Sequence, residues 1–327
     1  MPMNLNMTCD SRITVLIATY NRASSLRETL LALSLVQRAS LEVEFVVLDN
    51  CSVDDTALVV AELGSLLPVR RFVATRPGKS CALNDALGAL DLGGTVAFLD
   101  DDVTPSVSWL QEVARTVACW PHYSVFGGRV DPQWPAGDPP LGLRQTGARM
   151  WGLGEHGFGS EECSYPPTIT PVGANWWARR EVFRDGRRFD EAIGPTGAAV
   201  IMGEDTKFLL RLNADGYPIL HVPTAQVWHR IQAEKVTDRD LSKRAYAQGV
   251  GGPHTSGFCQ PALLARSPML WRLRRRAALL KAVCAFCISK FGLPSERLVR
   301  LRYDALSKIA YNRESLRLSK AGKIPTR

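Results

Sequence analysis

Three consecutive carboxylates, Asp100 to Asp102, directly follow the short apolar run Val96 to Leu99. Such a run has the length of a buried parallel strand, and open α/β sheets bind ligands at the carboxyl ends of their strands. Adjacent like charges raise one another's pKa, and a bound Mg²⁺ or Mn²⁺ relieves that repulsion. The alternative is an acidic loop stabilised by the dipole of a helix that we expect to begin at Thr104 and Pro105.

Polar residues also follow three earlier apolar runs, at Ile13 to Ala18, Val43 to Leu48 and Val69 to Ala74. Between these runs, apolar residues recur at helical spacing. The alternation predicts an α/β fold with a doubly wound, mostly parallel, Rossmann-like sheet. Its strand ends would bring together Thr19 to Arg22, Asp49 to Asp55, Arg76 to Lys79 and Asp100 to Asp102. Neither a G-x-G-x-x-G after the first strand nor a P-loop is present, which excludes those two nucleotide-binding classes.

The second half of the chain holds further candidate groups. Gly203-Glu204-Asp205-Thr206 opens a predicted helix, so its carboxylates either act as a general base or only cap that helix. His229 ends the second of two predicted short strands, Tyr217 to Val222 and Ala225 to His229, and is either a metal ligand or a structural histidine. Trp176 and Trp177, expected to lead into a helix, either stack on a ligand or pack in the core.

Positive charge is concentrated in the C-terminal part. Residues 232–327 hold 20 Lys or Arg against 6 Asp or Glu, whereas residues 1–231 hold 20 against 26. We expect a basic helical tail, broken at Gly249 to Pro253. Within it, Met269 to Phe291 carries charges too far inside for a membrane span, which predicts either a helix lying on an anionic membrane surface or one packed on the rest of the chain. The polar N-terminus lacks the apolar core of a secretory signal and predicts a cytoplasmic protein. Together with the basic tail, it predicts a protein that is peripheral on the cytoplasmic face of the membrane.

Five motifs occur in order over about residues 12–231: T-Y-N-R, D-N-C-S-V-D-D-T, G-K-S-C-A-L-N, L-D-D-D and G-E-D-T-K-F-L-L-R-L. Together they resemble the family 2 glycosyltransferases with the GT-A fold. The resemblance implies inverting transfer of a sugar from a nucleoside diphosphate, with Mn²⁺ or Mg²⁺. It also implies a catalytic domain over 1–231, with a nucleotide-sugar-binding half at about 12–130 and an acceptor-side half at 131–231. The basic helical tail, 232–327, would follow as a C-terminal extension.

The resemblance assigns roles to individual residues. It implies that Asp205 is the catalytic base with Glu204 in support, and that Asp102, Asp100 and His229 hold the metal. The expected nucleotide-sugar-binding residues are Thr19, Tyr20, Asn21, Arg22, Asp49, Asn50, Lys79, Asn84, Asp100 and Asp101.

Two of these positions leave alternatives open. Asn50 stands where the family often has a second Asp, and an amide can both accept and donate, so the identity of the base is open. Lys79 is either near the donor phosphates or a solvated loop lysine.

We therefore expect a glycosyltransferase of bacterial surface polysaccharide or glycolipid synthesis, which uses a nucleoside-diphosphate sugar and a carbohydrate or lipid-linked acceptor. One alternative is a nucleotidyltransferase with a similar acidic metal site, although the usual Gly-rich loop near the first strand is missing. Another is a nucleic-acid-binding protein that uses the basic tail, although few aromatic residues are interleaved with its charges. We expect no nucleic-acid partner.

Overall fold

A computed structural model describes residues 10–135, 158–195, 200–255 and 296–321, together with separate positions between 273 and 288. The strands in this part of the chain are β1 Ile13–Thr19, β2 Val43–Asp49, β3 Val69–Val73, β4 Thr95–Asp100, β5 Val103–Pro105, β6 Val125–Gln133, β7 Cys163–Ser164, β8 Asn175–Arg179, β9 Gly194–Pro195, β10 Val200–Ile201 and β11 Ile219–Arg230. The helices are α1 Ala23–Ser34, α2 Thr56–Leu63, α3 Lys79–Ala89, α4 Trp109–Cys119, α5 Glu204–Ala214, α6 Asp238–Thr255 and α7 Glu296–Lys320.

The central sheet has the strand order β3-β2-β1-β4-β8-β6-β11-β5, with β7 also paired to β11. Strands β3, β2, β1 and β4 are parallel, and so are β6 and β11. The short strand β8 runs antiparallel between β4 and β6. The predicted α/β fold with a mostly parallel, doubly wound sheet is therefore confirmed.

Helices cover both faces of the sheet, as continuous apolar strands require. On one face α1, α2 and α4 pack on the sheet, with core residues such as Leu30, Val59 and Trp109. On the other face lie α3 and α5, represented in the core by Ala82 and Leu209. This two-sided packing fixes the carboxyl ends of the strands relative to the N-termini of α3 and α5.

The prediction that a helix begins at Thr104 and Pro105 was wrong. These residues belong to β5, which pairs antiparallel with the end of β11 so that His229 lies opposite Val103. The helix α4 begins only at Trp109. Pairing with a strand distant in sequence satisfies the backbone here, and a local capping signal carries no information about that pairing.

Two other element predictions also need correction. The two short strands expected between Tyr217 and His229 form one strand, β11, with an irregularity between Val222 and Gln226. The helix expected after Trp176 and Trp177 is present as a short 3₁₀ helix at Arg180–Phe183, but the two tryptophans themselves lie within β8, a strand that was not expected. The two indoles point to opposite faces, where Trp176 stacks on Phe98 with ring centroids 4.0 Å apart, and both belong to the core.

The basic tail contributes α6 and α7, which pack against each other and around a small core of Ile231, Leu241, Ala245 and Tyr303. The prediction of a helix break at Gly249 to Pro253 was wrong, because α6 continues through these residues to Thr255. Most of the Met269 to Phe291 segment lies outside the described residues, and its described positions are helical. Across the described helices, none combines the length and the apolar character needed to cross a membrane.

Candidate active site

The carboxyl ends of β1, β2 and β4 meet at one edge of the sheet. In the parallel registers Thr19 lies opposite Asp49, and Ala18 lies opposite Asp100. The structure therefore assembles the polar loops that follow these strands at one crevice, as the sequence predicted. The sharp turn after β1 passes through Asn21, whose φ of 50° is in the left-handed region that asparagine tolerates.

Asp101 and Asp102 share one guanidinium. Arg22 donates to Asp101 Oδ1 at 2.5 Å and to Asp102 Oδ2 at 2.7 Å, while the Thr19 hydroxyl donates to Asp101 Oδ2 at 2.6 Å. Burial raises the pKa of Asp101 to about 7, with Arg22 opposing and the neighbouring Asp102 adding to the rise. Burial also acts to raise the pKa of Asp102, but His229 and Arg22 outweigh it and hold that carboxylate ionised.

Asp102 lies in a small pocket lined largely by cations. His229 Nε2 is 3.3 Å from Asp102 Oδ2, a contact made possible by the pairing of β11 with β5. Around them the pocket is lined by Arg22, Arg230, Ile231, Gln232, Lys235 and Arg244. We call Arg22, Arg230, Lys235 and Arg244 the cationic group.

The positive charges of the cationic group lie close enough together to change one another's pKa. Burial lowers the pKa of Arg230, of Lys235 and of Arg244, and the positive charge of Arg22 lowers all three further. Such mutual destabilisation of cations is relieved when a multivalent anion binds among them. The pocket therefore has the charge of an anion site.

A second cluster gathers three carboxylates around one ammonium. Lys79 Nζ lies 3.0 Å from Asp205 Oδ2, 3.1 Å from Asp100 Oδ1 and 3.3 Å from Glu204 Oε1. We call these four residues the carboxylate cluster. Burial acts to lower the pKa of Lys79, but the three carboxylates outweigh it and raise that pKa well above its ordinary value.

Asp205 is held on both carboxylate oxygens. Besides the Lys79 contact, Oδ1 accepts a long hydrogen bond of 3.4 Å from the Trp176 indole N–H. Burial raises the pKa of Asp205 to about 6, with Lys79 opposing and with Glu204 and Asp100 adding to the rise. A carboxylate with a pKa of that size is a competent general base near neutral pH.

Glycine at position 173 makes room for this carboxylate. A Cβ at Gly173 would lie 2.2 Å from Asp205 Oδ2 and 3.0 Å from Asp205 Cβ. At the other side, Gly203 precedes α5 with a φ of 112°, a conformation that only glycine adopts freely. Both glycines therefore serve the placement of Asp205 at the start of α5.

Other predicted residues of the site have structural partners. The side-chain oxygen of Asn50 accepts a hydrogen bond of 2.7 Å from the backbone N–H of Gly78, and Asp49 Oδ1 accepts one of 2.8 Å from the backbone N–H of Ser52. The side-chain oxygen of Asn21 accepts a hydrogen bond of 2.8 Å from the backbone N–H of Val53.

The side chains of Tyr20 and Asn84 are placed differently. Tyr20 remains 44% exposed at the crevice loop. Asn84 is not brought into either cluster, because its side chain bonds to the backbone of Phe189 and to Glu191.

Sequence reasoning missed Arg230, Lys235 and Arg244. Lys235 and Arg244 belong to the basic tail, so the boundary expected between 231 and 232 divides residues that line one pocket. The excess positive charge of the tail was the available signal, but it predicted a membrane or nucleic-acid partner rather than a contribution to this pocket.

A divalent metal was expected at Asp100, Asp102 and His229. Nowhere in the described ranges do three His, Cys, Asp or Glu side chains group as a metal site, and Asp100 faces Lys79 instead. Asp102 and His229 nevertheless form a suitable pair, because Asp102 Oδ1 is buried and has no hydrogen-bond partner within the described structure. A carboxylate and an imidazole suit Mn²⁺, and diphosphate oxygens from a donor would complete such a shell.

A family model of the glycosyl transferase family 2 matches residues 14–187, just over half of the 327 residues. This chain belongs to glycosyltransferase family 2. The matched region includes every strand end of the crevice and both Lys79 and Asp102, while Asp205 and His229 lie beyond it.

Relatives of this family 2 member act in glycan assembly. The succinoglycan biosynthesis protein ExoM of Rhizobium meliloti is 27% identical over 249 residues, 71% of each chain. A glucosyl-dolichyl phosphate glucuronosyltransferase of Haloferax volcanii is 26% identical over 161 residues, 49% of this chain and 50% of the relative. The chain thus spans about half the length of that glucuronosyltransferase.

Solved structures share the fold of this family 2 member. A mannosyltransferase of Pyrobaculum calidifontis, in complex with GDP-Man and Mn²⁺, aligns with a TM-score of 0.56 and 19% identity over 96% of this chain and 88% of that one. The resemblance to family 2 glycosyltransferases with the GT-A fold is therefore confirmed. Membership favours this hypothesis over the nucleotidyltransferase and nucleic-acid-binding alternatives.

Proposed function

We propose that this chain transfers a sugar from a nucleoside-diphosphate donor to a hydroxyl acceptor, with inversion, in polysaccharide or glycolipid synthesis. The observation that carries the proposal is the charge pattern at the crevice. The run Asp100 to Asp102 joins a cationic group on one side to a carboxylate cluster on the other. One side suits a diphosphate, and the other suits the removal of a proton from an acceptor.

The cationic group and Asp102 form the donor side in this proposal. Transfer leaves a diphosphate that carries developing negative charge, and positioned cations stabilise that charge. Arg230 contributes its positive charge from a fixed position, because the backbone oxygens of Val103 and Ser25 and the carboxylate of Glu28 hold its guanidinium. The GDP-Man bound by the mannosyltransferase of the same fold supports a donor of this class.

A divalent metal belongs to the donor side as well. Asp102 and His229 would hold it, and when bound it would neutralise the diphosphate charge. The Mn²⁺ bound by the mannosyltransferase of the same fold supports the use of a divalent metal.

The carboxylate cluster forms the acceptor side. Asp205 takes the proton of the attacking hydroxyl, and Glu204, held 3.3 Å from Lys79, supports it. Attack by a hydroxyl on the face opposite the leaving diphosphate produces inversion at the sugar carbon. We retain the proposed halves, about 12–130 for the donor and 131–231 for the acceptor, and add Lys235 and Arg244 of the tail to the donor side.

A donor screen tests this function. Purified chain is incubated with UDP-glucose, UDP-GlcNAc, GDP-mannose and dTDP-glucose, each with Mn²⁺ or Mg²⁺, and released nucleoside diphosphate is measured. We expect release from at least one donor and acceleration by a carbohydrate or lipid-linked acceptor. Absence of turnover and of binding for every donor would contradict the proposal.

We propose further that the tail associates with an anionic membrane surface. Described positions of the 269–291 segment expose apolar side chains, among them Leu273, Leu280 and Ile288 at 51%, 66% and 61%. Basic residues accompany them, which is the composition of helices that lie among anionic head groups.

A further inference from the structure

Lys79 occupies a position that the predicted role in phosphate binding does not explain. Its side chain is 18% exposed, and its ammonium contacts carboxylates from two different elements, Asp100 at the end of β4 and the pair Glu204 and Asp205 at the start of α5. An ammonium has three N–H donors, and here three carboxylates surround it. Asp100 and Asp205 each accept a hydrogen bond from this ammonium, and Glu204 lies close by as an ion pair, so the contacts direct the ammonium to these carboxylates rather than to an additional anionic ligand.

The backbone at Lys79 is fixed from both sides. The preceding Gly78, with a φ of 133°, donates its N–H to the buried Asn50 side chain at 2.7 Å. The following Ser80 donates its hydroxyl to the carbonyl of Ile193 at 2.8 Å. Lys79 therefore begins α3 at a defined place, and its side chain reaches the end of β4 and the start of α5.

We propose that Lys79 is a positioning residue for the base: its ammonium holds Asp205, Glu204 and Asp100 in one arrangement and ties the donor-side strand β4 to the acceptor-side helix α5. This inference rests on the proposed function, in which Asp205 accepts the proton. Without the ammonium, three buried carboxylates would face one another, and repulsion would turn Asp205 away from the acceptor or protonate it.

A double-mutant cycle tests whether Lys79 acts through Asp205. The proteins are wild type, Lys79→Met, Asp205→Asn and the double variant, assayed with the best donor among UDP-glucose, UDP-GlcNAc, GDP-mannose and dTDP-glucose. We expect Lys79→Met to lower kcat at least about tenfold, with the Kd for the donor within about twofold of wild type. In the Asp205→Asn background the same substitution should change kcat less than about twofold, because the base is already absent.

The alternatives give different readings. If Lys79 binds donor phosphates, Lys79→Met raises the donor Kd and leaves kcat nearly unchanged. If the two single losses of kcat multiply in the double variant, Lys79 acts independently of Asp205 and the inference is overturned as well. If Asp205→Asn keeps wild-type turnover, the assignment of Asp205 as the base is wrong. If Asp205→Asn loses turnover but Lys79→Met does not, the proposed function stands and only the positioning role of Lys79 is contradicted. Lys207→Met is the matched control, because Lys207 lies on α5 with Asp205 but pairs with Asp190 at 2.5 Å, outside the carboxylate cluster.

Two additions keep the test decisive. If Lys79→Met does not fold, Lys79→Arg retains the charge with a planar geometry that fits three separate carboxylates poorly, and the same cycle is run with it. Carboxyl ¹³C NMR reads the effect without any donor, since the charged groups facing Asp205 are Lys79, Glu204 and Asp100. The titration midpoint of Asp205 should rise in Lys79→Met, and an unchanged midpoint overturns the inference.

Discussion

Asp205 carries its charge in a buried site that it shares with Lys79, Glu204 and Asp100. Its pKa is raised to about 6, from an ordinary value of 3.8. A base works in its deprotonated form, so kcat/KM should fall as the pH drops through about 6. The measurement is a pH profile of kcat/KM with the best donor of the screen. A rate that stays constant down to pH 3.8 would contradict the assignment, since that is where an unperturbed aspartate titrates.

Asp102 offers a separate prediction about the metal. Its Oδ1 is buried and lacks a hydrogen-bond partner in the described structure, and His229 lies beside its other oxygen. In wild type, UDP or GDP together with Mn²⁺ should raise the melting temperature more than either component alone. Asp102→Ala should abolish that joint effect. The same metal-dependent shift in the variant would place the metal elsewhere.

Residue patterns predicted the contents of the crevice better than the partners of each residue. Asp100 to Asp102, Lys79 and Asp205 all lie there, because strand periodicity and the parallel sheet determine which loops meet. The sequence could not show that Lys79 faces carboxylates, because that contact depends on how α5 packs beside β4. It also gave no sign that Asn50 would be used to hold Gly78.

At the scale of elements, α6 and α7 depend on glycine for their close approach. A Cβ at Gly249 would lie 2.1 Å from the carbonyl oxygen of Ser307 and 2.8 Å from Ala310 Cβ. Gly249→Ala should therefore lower the free energy of unfolding by about 1–3 kcal/mol, the usual cost of overpacking. Urea denaturation followed by circular dichroism measures it.

Gly64→Ala is the matched control for this substitution. Gly64 has a φ of −60°, and a Cβ there would lie no closer than 3.4 Å to its neighbours. Its effect should stay within about 0.5 kcal/mol. Equal effects of the two substitutions would show that α6 and α7 do not pack as closely as described.

Strands and helices were predicted well where the local spacing of apolar residues determines them. They were predicted poorly where pairing with a strand distant in sequence determines them. β1, β2, β3 and β4 appear close to their expected bounds, because apolar runs between helical patterns are local signals. The sequence around Thr104 and Pro105 has the appearance of a helix start, yet pairing with β11 makes it a strand. That pairing brings His229 to Asp102, so this error concealed part of the site.

On the scale of the whole molecule, positive charge is segregated into the tail. Part of it, Lys235 and Arg244, lines the pocket around Asp102. The remainder should give binding to phosphatidylglycerol vesicles that exceeds binding to phosphatidylcholine vesicles and weakens as salt rises. Flotation of the intact chain with each lipid measures this. Equal binding to both lipids would contradict the proposal.

Charge-reversal variants locate the membrane contact. Arg276→Glu with Lys281→Glu changes the 269–291 segment and should reduce flotation. Lys243→Glu with Lys308→Glu makes the same change of net charge on α6 and α7 and should reduce it less. Equal losses would indicate general attraction to the tail rather than contact through the segment.

The most direct measurement compares wild type with Asp205→Asn on the best donor of the screen, recording both product formation and the donor Kd. Asparagine keeps the shape at the start of α5 but cannot accept the proton. We expect turnover to fall at least ~10²-fold while the donor Kd and the melting temperature stay nearly unchanged. Near-normal turnover in Asp205→Asn would contradict the central claim that this carboxylate is the base of a glycosyl transfer in the crevice.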